Sequence, residues 1–294
     1  MPAVRQDMIG FVGLGAMGRP MVGRLLGAGH AVGVWARRAD ACAGLDGVSV
    51  FASPAELAAA CRLTFSMVTR DADVASILLG DRGLLGGMTA GSLHIDMSTI
   101  APESARRFAR VLADCGAGWL DAPVSGGVVG AEAGTLAIMV GGRDLDLERG
   151  RPYLAALGQR IVHVGPAGAG QVAKACNQLV MVAAIEAVAE AFALAERSGL
   201  DLARVRAALQ GGAGGSRVLD VFGQRMLDGH YAGGVESRLH HKDFAIVLAA
   251  AQAMNLALPL TAAVADRLNA LQARGGACDD TASLFRLYET EKQT

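Results

Sequence analysis

The chain has 294 residues, more than a single hydrophobic core usually supports, so two domains are expected. Apolar residues make up 52% and charged residues 19%, while a net charge of -1 and a pI near 6.6 give no field to draw in nucleic acid or an anionic membrane. Five cysteines (Cys42, Cys61, Cys115, Cys176, Cys278), odd in number and without a CxxC pair, argue against a disulfide framework or a zinc site and fit reduced thiols. No metal-ligand spacing is present, so a metal is neither seen nor required.

At the N-terminus, Arg5 and Asp7 precede a brief apolar run that breaks at glycines, which is not the h-region of a signal peptide; a soluble, cytoplasmic protein is expected. From residue 8 to about 164, short apolar runs alternate with helical segments. Strands are predicted at 9–12, 31–35, 63–68, 93–96, 119–121, 136–140 and 161–164. Ser53-Pro54-Ala55-Glu56 combines an N-cap, a proline at the first helical position and a capping-box glutamate. Such β-α alternation implies a largely parallel, doubly wound sheet.

After Pro166 the alternation stops. Helices are predicted at 168–198, 201–209, about 217–228, 240–254, 259–273 and 281–290, with no internal repeat. The division is therefore a dinucleotide-type α/β domain over 1–165 and an all-helical domain over 166–294, joined by the long helix. Gly211-Gly212-Ala213-Gly214-Gly215-Ser216 is too short for a linker and is expected to allow close backbone approach or form a mobile pocket wall.

The long helix is apolar on nearly every side from Leu179 to Ala195, which in a soluble chain means burial. Its apolar runs are short and Glu186 and Glu190 interrupt them, so it is not expected to span a membrane. Gln171, Lys174, Asn177 and Gln178 share a stripe about 120° wide that Met181 and Ile185 continue. Two readings of Lys174 stand at this point: a solvated first turn, or a lysine held for chemistry.

Gly13-Leu14-Gly15-Ala16-Met17-Gly18 follows a predicted strand and opens a predicted helix, the context a GxGxxG match requires. Gly13 permits the tight turn, Gly15 the approach of a pyrophosphate, and Gly18 the close packing of helix on strand. The first domain is thus expected to be Rossmann-type. Where the second strand ends, an NAD enzyme usually shows an acid for the ribose hydroxyls; this chain has Ala36-Arg37-Arg38 instead. Two guanidinium groups suit a 2′-phosphate, so NADP is expected in preference to NAD.

The sequence resembles the β-hydroxyacid dehydrogenases, the family of 3-hydroxyisobutyrate dehydrogenase and tartronate semialdehyde reductase. The resemblance rests on ordered blocks: Gly13 to Met21; Asp96-Met97-Ser98-Thr99-Ile100-Ala101-Pro102; Asp121-Ala122-Pro123-Val124-Ser125-Gly126-Gly127; Gly134 to Gly142; Gly168 to Gln178; His240-His241-Lys242-Asp243; and Leu258 to Val264. It implies that Lys174 is the catalytic lysine, that Ser125, Gly126 and Gly127 bind the substrate carboxylate, and that Asn177 orients the substrate. It also implies that Thr99 and Lys242 lie near the cofactor, Lys242 on the nicotinamide side. Lys174 followed by Asn177-Gln178, the 211–216 run and Asp279-Asp280 look closer to the tartronate semialdehyde reductase branch. NAD-using members commonly have Asp where this chain has Ala36.

Hydride transfer from an alcohol requires the hydroxyl proton to leave, and in reverse the alkoxide must be protonated. Lysine can do both when desolvation or nearby positive charge brings its pKa toward working pH. Ser125 offers a hydroxyl, and Gly126 and Gly127 offer unobstructed backbone N–H groups, to fix a carboxylate. None of the six histidines has a plausible catalytic partner, and His240 and His241 are expected to serve surface or packing roles.

The expected function is therefore NADP-preferring interconversion of a short β-hydroxy acid and its 3-oxo acid, of the tartronate semialdehyde reductase kind. Alternatives are dehydrogenation of 3-hydroxyisobutyrate, D-threonine, L-threonate or L-serine, or reduction of glyoxylate or succinic semialdehyde. Imine reduction and a non-catalytic NADP-binding sensor or scaffold are disfavoured because relatives with those roles lack the lysine. A nearly all-apolar helix also suggests a homodimer or homotetramer.

Overall fold

The computed structural model of the protein describes residues 8–289. Arg5, Asp7 and residue 290, the last of the final predicted helix, lie outside the described residues. Contacts divide the chain into two compact units, and the division falls after Lys174, inside one continuous helix.

The first unit carries a nine-stranded sheet. β1 (Met8–Val12) leads through α1 (Gly18–Gly27) to β2 (Ala31–Trp35), β3 (Val48–Val50) and α2 (Pro54–Ala60). There follow β4 (Leu63–Ser66), α3 (Asp71–Leu79), β5 (Leu93–Asp96), α4 (Pro102–Asp114) and β6 (Gly118–Asp121). The unit continues with β7 (Val124–Ser125), α5 (Gly127–Ala133), β8 (Leu136–Gly142), α6 (Asp144–Leu157) and β9 (Gly158–Gly165). The spatial order is β3-β2-β1-β4-β5-β6-β8-β7, with β9 paired to β8. Strands β3 to β6 are mutually parallel; β8 runs antiparallel to β6 and β7, and β9 lies parallel to β8.

Helices cover both faces, which is why β4, β5 and β6 are buried at every residue rather than alternating. One core joins Ile9, Phe11, Val34 and Phe65 to Met21 and Leu25 of α1 and Leu154 of α6. The other joins Val12 and Trp119 to Leu57 of α2, Leu78 of α3 and Phe108 of α4. The predicted start of α2 is present: Ser53 Oγ accepts the Glu56 N–H at 3.2 Å, with Pro54 at the first position. Such a cap contributes about 1 kcal/mol.

The predicted strand 63–68 ends two residues early, because the Val68 N–H turns to donate to Ser98 Oγ at 2.9 Å. β3 and β7 are too short to show a period in sequence. In register, Asp96 of β5 lies opposite Asp121 of β6, so two carboxylates end adjacent strands.

The helix α7 (Ala169–Arg197) begins in the first unit and continues into the second. There it is followed by α8 (Leu202–Gln210), a π-helical turn at Leu219–Gly223, α9 (Gln224–Asp228), α10 (Ser237–Ala253) and α11 (Pro259–Ala273). Short 3₁₀ segments at Gly276–Cys278 and Thr281–Leu287 close the unit. The expected helix at 281–290 is thus 3₁₀, started by Asp280, whose carboxylate accepts the Ala282 N–H at 2.9 Å. The predicted 217–228 helix is interrupted by the π turn, and the 211–216 run is an exposed turn after α8.

The core of the second unit packs Val182, Ile185 and Phe192 of α7 with Phe222, Phe244, Leu268 and Phe285. Glu186 is buried there, offset by Arg267 at 2.9 Å and by the Tyr288 hydroxyl. With 29 residues and an 18-residue window of mean hydropathy 1.8, α7 is long and apolar enough to cross a bilayer by length and composition, despite the short apolar runs read from sequence. Its buried side chains are engaged by protein within each unit.

Candidate active site

The first constellation forms where β1 ends, beside the point at which the strand order reverses between β1 and β4. Ligands of open α/β sheets bind at such a point, outside the carboxyl ends of the strands. Gly13 has φ +97°, and a Cβ there would meet the Met67 carbonyl at 2.2 Å. A Cβ on Gly18 would meet the Gly13 carbonyl at 1.8 Å, so both glycines are dictated by the fold. Gly15 differs, since a Cβ there meets no protein atom within 4 Å and the space beside its backbone is open.

The first turn of α1 has no acidic residue and no side-chain cap. Its N–H groups therefore present the positive end of the helix without an internal anion, and the residues Gly13, Leu14, Gly15, Ala16, Met17 and Gly18 fit a pyrophosphate there. Thr99, half-buried, follows β5 at the same edge of the sheet.

Past the tip of β2, Arg37 and Arg38 are exposed at 86% and 77%. Arg37 lies 4.0 Å from Asp73 and Arg38 3.8 Å from Asp40. Exposed pairs at this distance constrain little. Both guanidinium groups can thus turn to an anion, and Asp40 faces Arg38.

The second constellation forms at the ends of β5, β6 and β7. Gly126 and Gly127 have φ of +136° and +61°, and Ser125 before them is half-buried. These values suit glycine, and they expose successive N–H groups at the start of α5. Across the same edge, the Asp121 carboxylate accepts the N–H groups of Gly168 at 2.7 Å and Gln171 at 3.0 Å. Lys174 follows one turn later, 7% exposed. The reading of Lys174 as a solvated first-turn lysine does not survive that burial.

A hydrogen-bonded chain runs beneath this turn. Thr64 Oγ1 lies 2.8 Å from His94 Nδ1, and Ser66 Oγ lies 3.0 Å from His94 Nε2. Ser66 donates its one proton to Asp96 at 2.6 Å, so Nε2 must carry the imidazole proton toward Ser66. Ser98 Oγ also donates to Asp96, at 2.7 Å. Burial pushes His94 down to about 3, which keeps it neutral. Burial pushes Asp96 up to about 7 against the pull of Ser66 and Ser98, with Asp121 adding repulsion. Asp121 is raised by burial to about 6, against the pull of the Gly168 and Gln171 amides.

In the second unit, Asn177 Nδ2 donates to Gln178 Oε1 at 2.9 Å, and Gln178 Nε2 donates to Asp243 Oδ2 at 2.6 Å. Lys242 Nζ sits 3.1 Å from Asp243 Oδ1, as an ion pair without the alignment of a hydrogen bond. Asn177 and Lys242 therefore belong to one network through Gln178 and Asp243. The positive charge at Lys242 is offset by this carboxylate. His240 is buried with Nδ1 2.7 Å from Thr281 Oγ1, and His241 bonds Asn269 at 2.8 Å, so both serve packing and surface roles.

Asp121, Gln171, Gln178 and Asp243 were visible in the sequence only as members of motif blocks or of a helical stripe. The available signal was a missing one: α7 starts at Gly168-Ala169-Gly170 with no side chain able to cap it and no acid in its first turn, so a cap had to come from elsewhere. Among the described residues no group of three or more His, Cys, Asp or Glu side chains could hold a metal ion.

Residues 8–165 match the NAD binding domain of 6-phosphogluconate dehydrogenase, and residues 168–288 match the NAD-binding domain of NADP-dependent 3-hydroxyisobutyrate dehydrogenase. The chain is 40% identical to 2-hydroxy-3-oxopropionate reductase of Escherichia coli, over 96% of this chain and 97% of that one. It is 41% identical to 3-hydroxyisobutyrate dehydrogenase of Pseudomonas aeruginosa, over 95% and 98%. Among solved structures, the 3-hydroxyisobutyrate dehydrogenase of Mycobacterium tuberculosis with L-serine superposes with a TM-score of 0.88 at 33% identity, covering 97% of this chain and all of that one. With a lysine-bearing helix anchored beside a dinucleotide-type sheet edge, and with both halves matched, the chain belongs to the β-hydroxyacid dehydrogenase family of NAD(P)-dependent oxidoreductases.

Proposed function

We propose that the protein is an NADP-preferring reductase of 2-hydroxy-3-oxopropionate, also called tartronate semialdehyde, interconverting it with its short β-hydroxy acid. The observation that carries this reading is Lys174, buried one turn after an anchored helix start. The 40% identity to a 2-hydroxy-3-oxopropionate reductase supports the choice of substrate. Residues 1–165 form the dinucleotide domain in this reading, and residues 166–294 the substrate and oligomerisation domain.

Gly13 to Gly18 hold the pyrophosphate, Arg37 and Arg38 the 2′-phosphate, and Thr99 borders the cofactor. When bound, the nicotinamide supplies a hydride to the aldehyde carbon or accepts one from the alcohol. Ser125 and the N–H groups of Gly126 and Gly127 fix the substrate carboxylate. Asn177 orients the substrate, and Lys242 lies near substrate and cofactor, its charge held by Asp243. In reduction the Lys174 ammonium gives a proton to the alkoxide oxygen; in oxidation the neutral amine takes the hydroxyl proton. Exposed Val180 and Leu194 on α7 support a homo-oligomer, and a cytoplasmic location fits the reduced cysteines.

The test is a panel of short hydroxy acids and their semialdehydes assayed with NADP and NAD, on the wild type and on Lys174→Ala. The expected outcome is preference for tartronate semialdehyde and NADPH, with Lys174→Ala losing about 10²–10⁴-fold in kcat while binding NADPH normally. Substantial turnover by Lys174→Ala would remove the lysine from acid-base chemistry.

A further inference from the structure

We infer that Asp121 and Gln171 are positioning residues that fix Lys174 relative to the Thr99 loop, Asp121 by capping the lysine's helix from a distant strand and Gln171 by clamping that loop. The inference rests on the reading of Lys174 as the acid-base group.

Every helix start leaves N–H groups unsatisfied, and an Asp, Ser or Thr just before the helix usually accepts them. α7 has Gly168 at that place. The acceptor comes instead from the end of β6, 47 and 50 residues away, where the two oxygens of Asp121 take the N–H groups of Gly168 and Gln171. The fit is steric as well as electrostatic. A Cβ on Gly170 would meet the carbonyls of Asp121 and Met139, each at 2.5 Å, and one on Gly141 would meet Asp121 Oδ1 at 2.8 Å. The glycines of this turn allow the helix to rest on the strand ends at the distance the carboxylate sets.

Gln171 then ties the same turn to the loop after β5. Its Oε1 accepts the Ile100 N–H at 3.1 Å, and its Nε2 donates to the Ser98 carbonyl at 2.8 Å. These two bonds bracket Thr99. Gln171 is 1% exposed, so neither bond has water as a substitute. Lys174 is three residues on, within the same helical stripe, and any tilt of the first turn moves it. Misplacement of a reacting group by about 1 Å can cost about 10²-fold in rate.

Asp121 shares its surroundings with Asp96 on β5, and Arg106 of α4 lies near Gly168, engaged by Glu103 at 3.3 Å. Replacing Asp121 by Asn therefore removes an anion without stripping the site of all charge.

The experiment compares Asp121→Asn, Gln171→Met and Gln171→Glu with the wild type, using NADPH titration, kcat, and kcat against pH in the direction of reduction. Asp121→Asn and Gln171→Met are expected to lose about 10–100-fold in kcat, with the Kd for NADPH within about threefold. In Gln171→Glu, the protonated acid can both donate to Ser98 and accept from Ile100, so activity relative to wild type should recover as pH falls. Wild-type kcat in folded Asp121→Asn and Gln171→Met overturns the inference. Should Asp121→Asn fail to fold, the two Gln171 variants decide it: a Gln171→Glu deficit that does not change with pH overturns the clamp. Lys174→Ala separates the two levels, because turnover retained there defeats the lysine reading itself, whereas its loss beside normal positioning variants defeats only this inference.

Discussion

Two buried aspartates serve α7 in opposite ways. Asp121, in the first unit and 0% exposed, receives neutral backbone N–H groups and faces a second buried carboxylate, Asp96. Asp243, in the second unit and 6% exposed, receives the amide of Gln178 and the ammonium of Lys242. The first is an anion held by dipoles, and its desolvation is left largely uncompensated. The second is an anion held by a cation, and each neutralises the other. A carboxylate of the first kind fixes geometry at a cost in stability; one of the second kind fixes geometry and also cancels a charge.

Truncating Asp121 to Ala should produce the larger loss. It strips two buried N–H groups of their acceptor where no water can replace it, at about 2–4 kcal/mol in urea unfolding. A loss under about 0.5 kcal/mol would mean that the helix start is satisfied without the carboxylate. Asp243→Ala should cost less, about 1–2 kcal/mol, although it breaks an ion pair. Lys242 is 22% exposed and its long side chain can swing its ammonium into water, so only the Gln178 amide is stranded. The opposite ranking in the same assay would invert the comparison.

The parts of this arrangement that repeat along the chain were legible in sequence. The β-α alternation gave the sheet, the glycines at 13, 15 and 18 gave the turn after β1, and the apolar second half of α7 gave a helix that is in the core along one side, through Val182, Ile185 and Phe192, while Val180 and Leu194 stay exposed. The burial of Lys174 was not legible in this way, since its helical stripe left a solvated first turn equally open and only the fold closed it. The caps on α7 are different, because a hydrogen bond between residues 121 and 168 depends on strand order, and no local period encodes which strand ends beside which helix. The same holds for Asp96 opposite Asp121, which is a matter of register, and for Gln171 bracketing Thr99. Short strands such as β7 and the 3₁₀ turn at Thr281–Leu287 were missed or misassigned for a simpler reason: they are shorter than the window that a period needs.

The smallest expected effect is also the one specific to an anion without a cation. Asp121 titrates near 6 when folded and at 3.8 in the ordinary range, so the folded chain holds its proton over a window in which the unfolded chain has released it. Its contribution to stability is therefore fully present below about pH 4 and is lost as pH rises through about 6. Asp96, raised to about 7, works in the same direction over a wider window. His94, lowered to about 3, works against them, since its contribution is lost as pH falls below about 6.5. The wild-type profile is the sum of these opposed terms and is uninformative alone. The difference between wild type and Asp121→Asn isolates one of them. Urea unfolding of both at pH 5 and pH 8 should show a penalty for the substitution that is about 1 kcal/mol larger at pH 5, because only the wild type gains from protonation there. A penalty that instead grew toward pH 8 would mean that Asp121 is stabilised as an anion, and the distinction between the two aspartates would collapse.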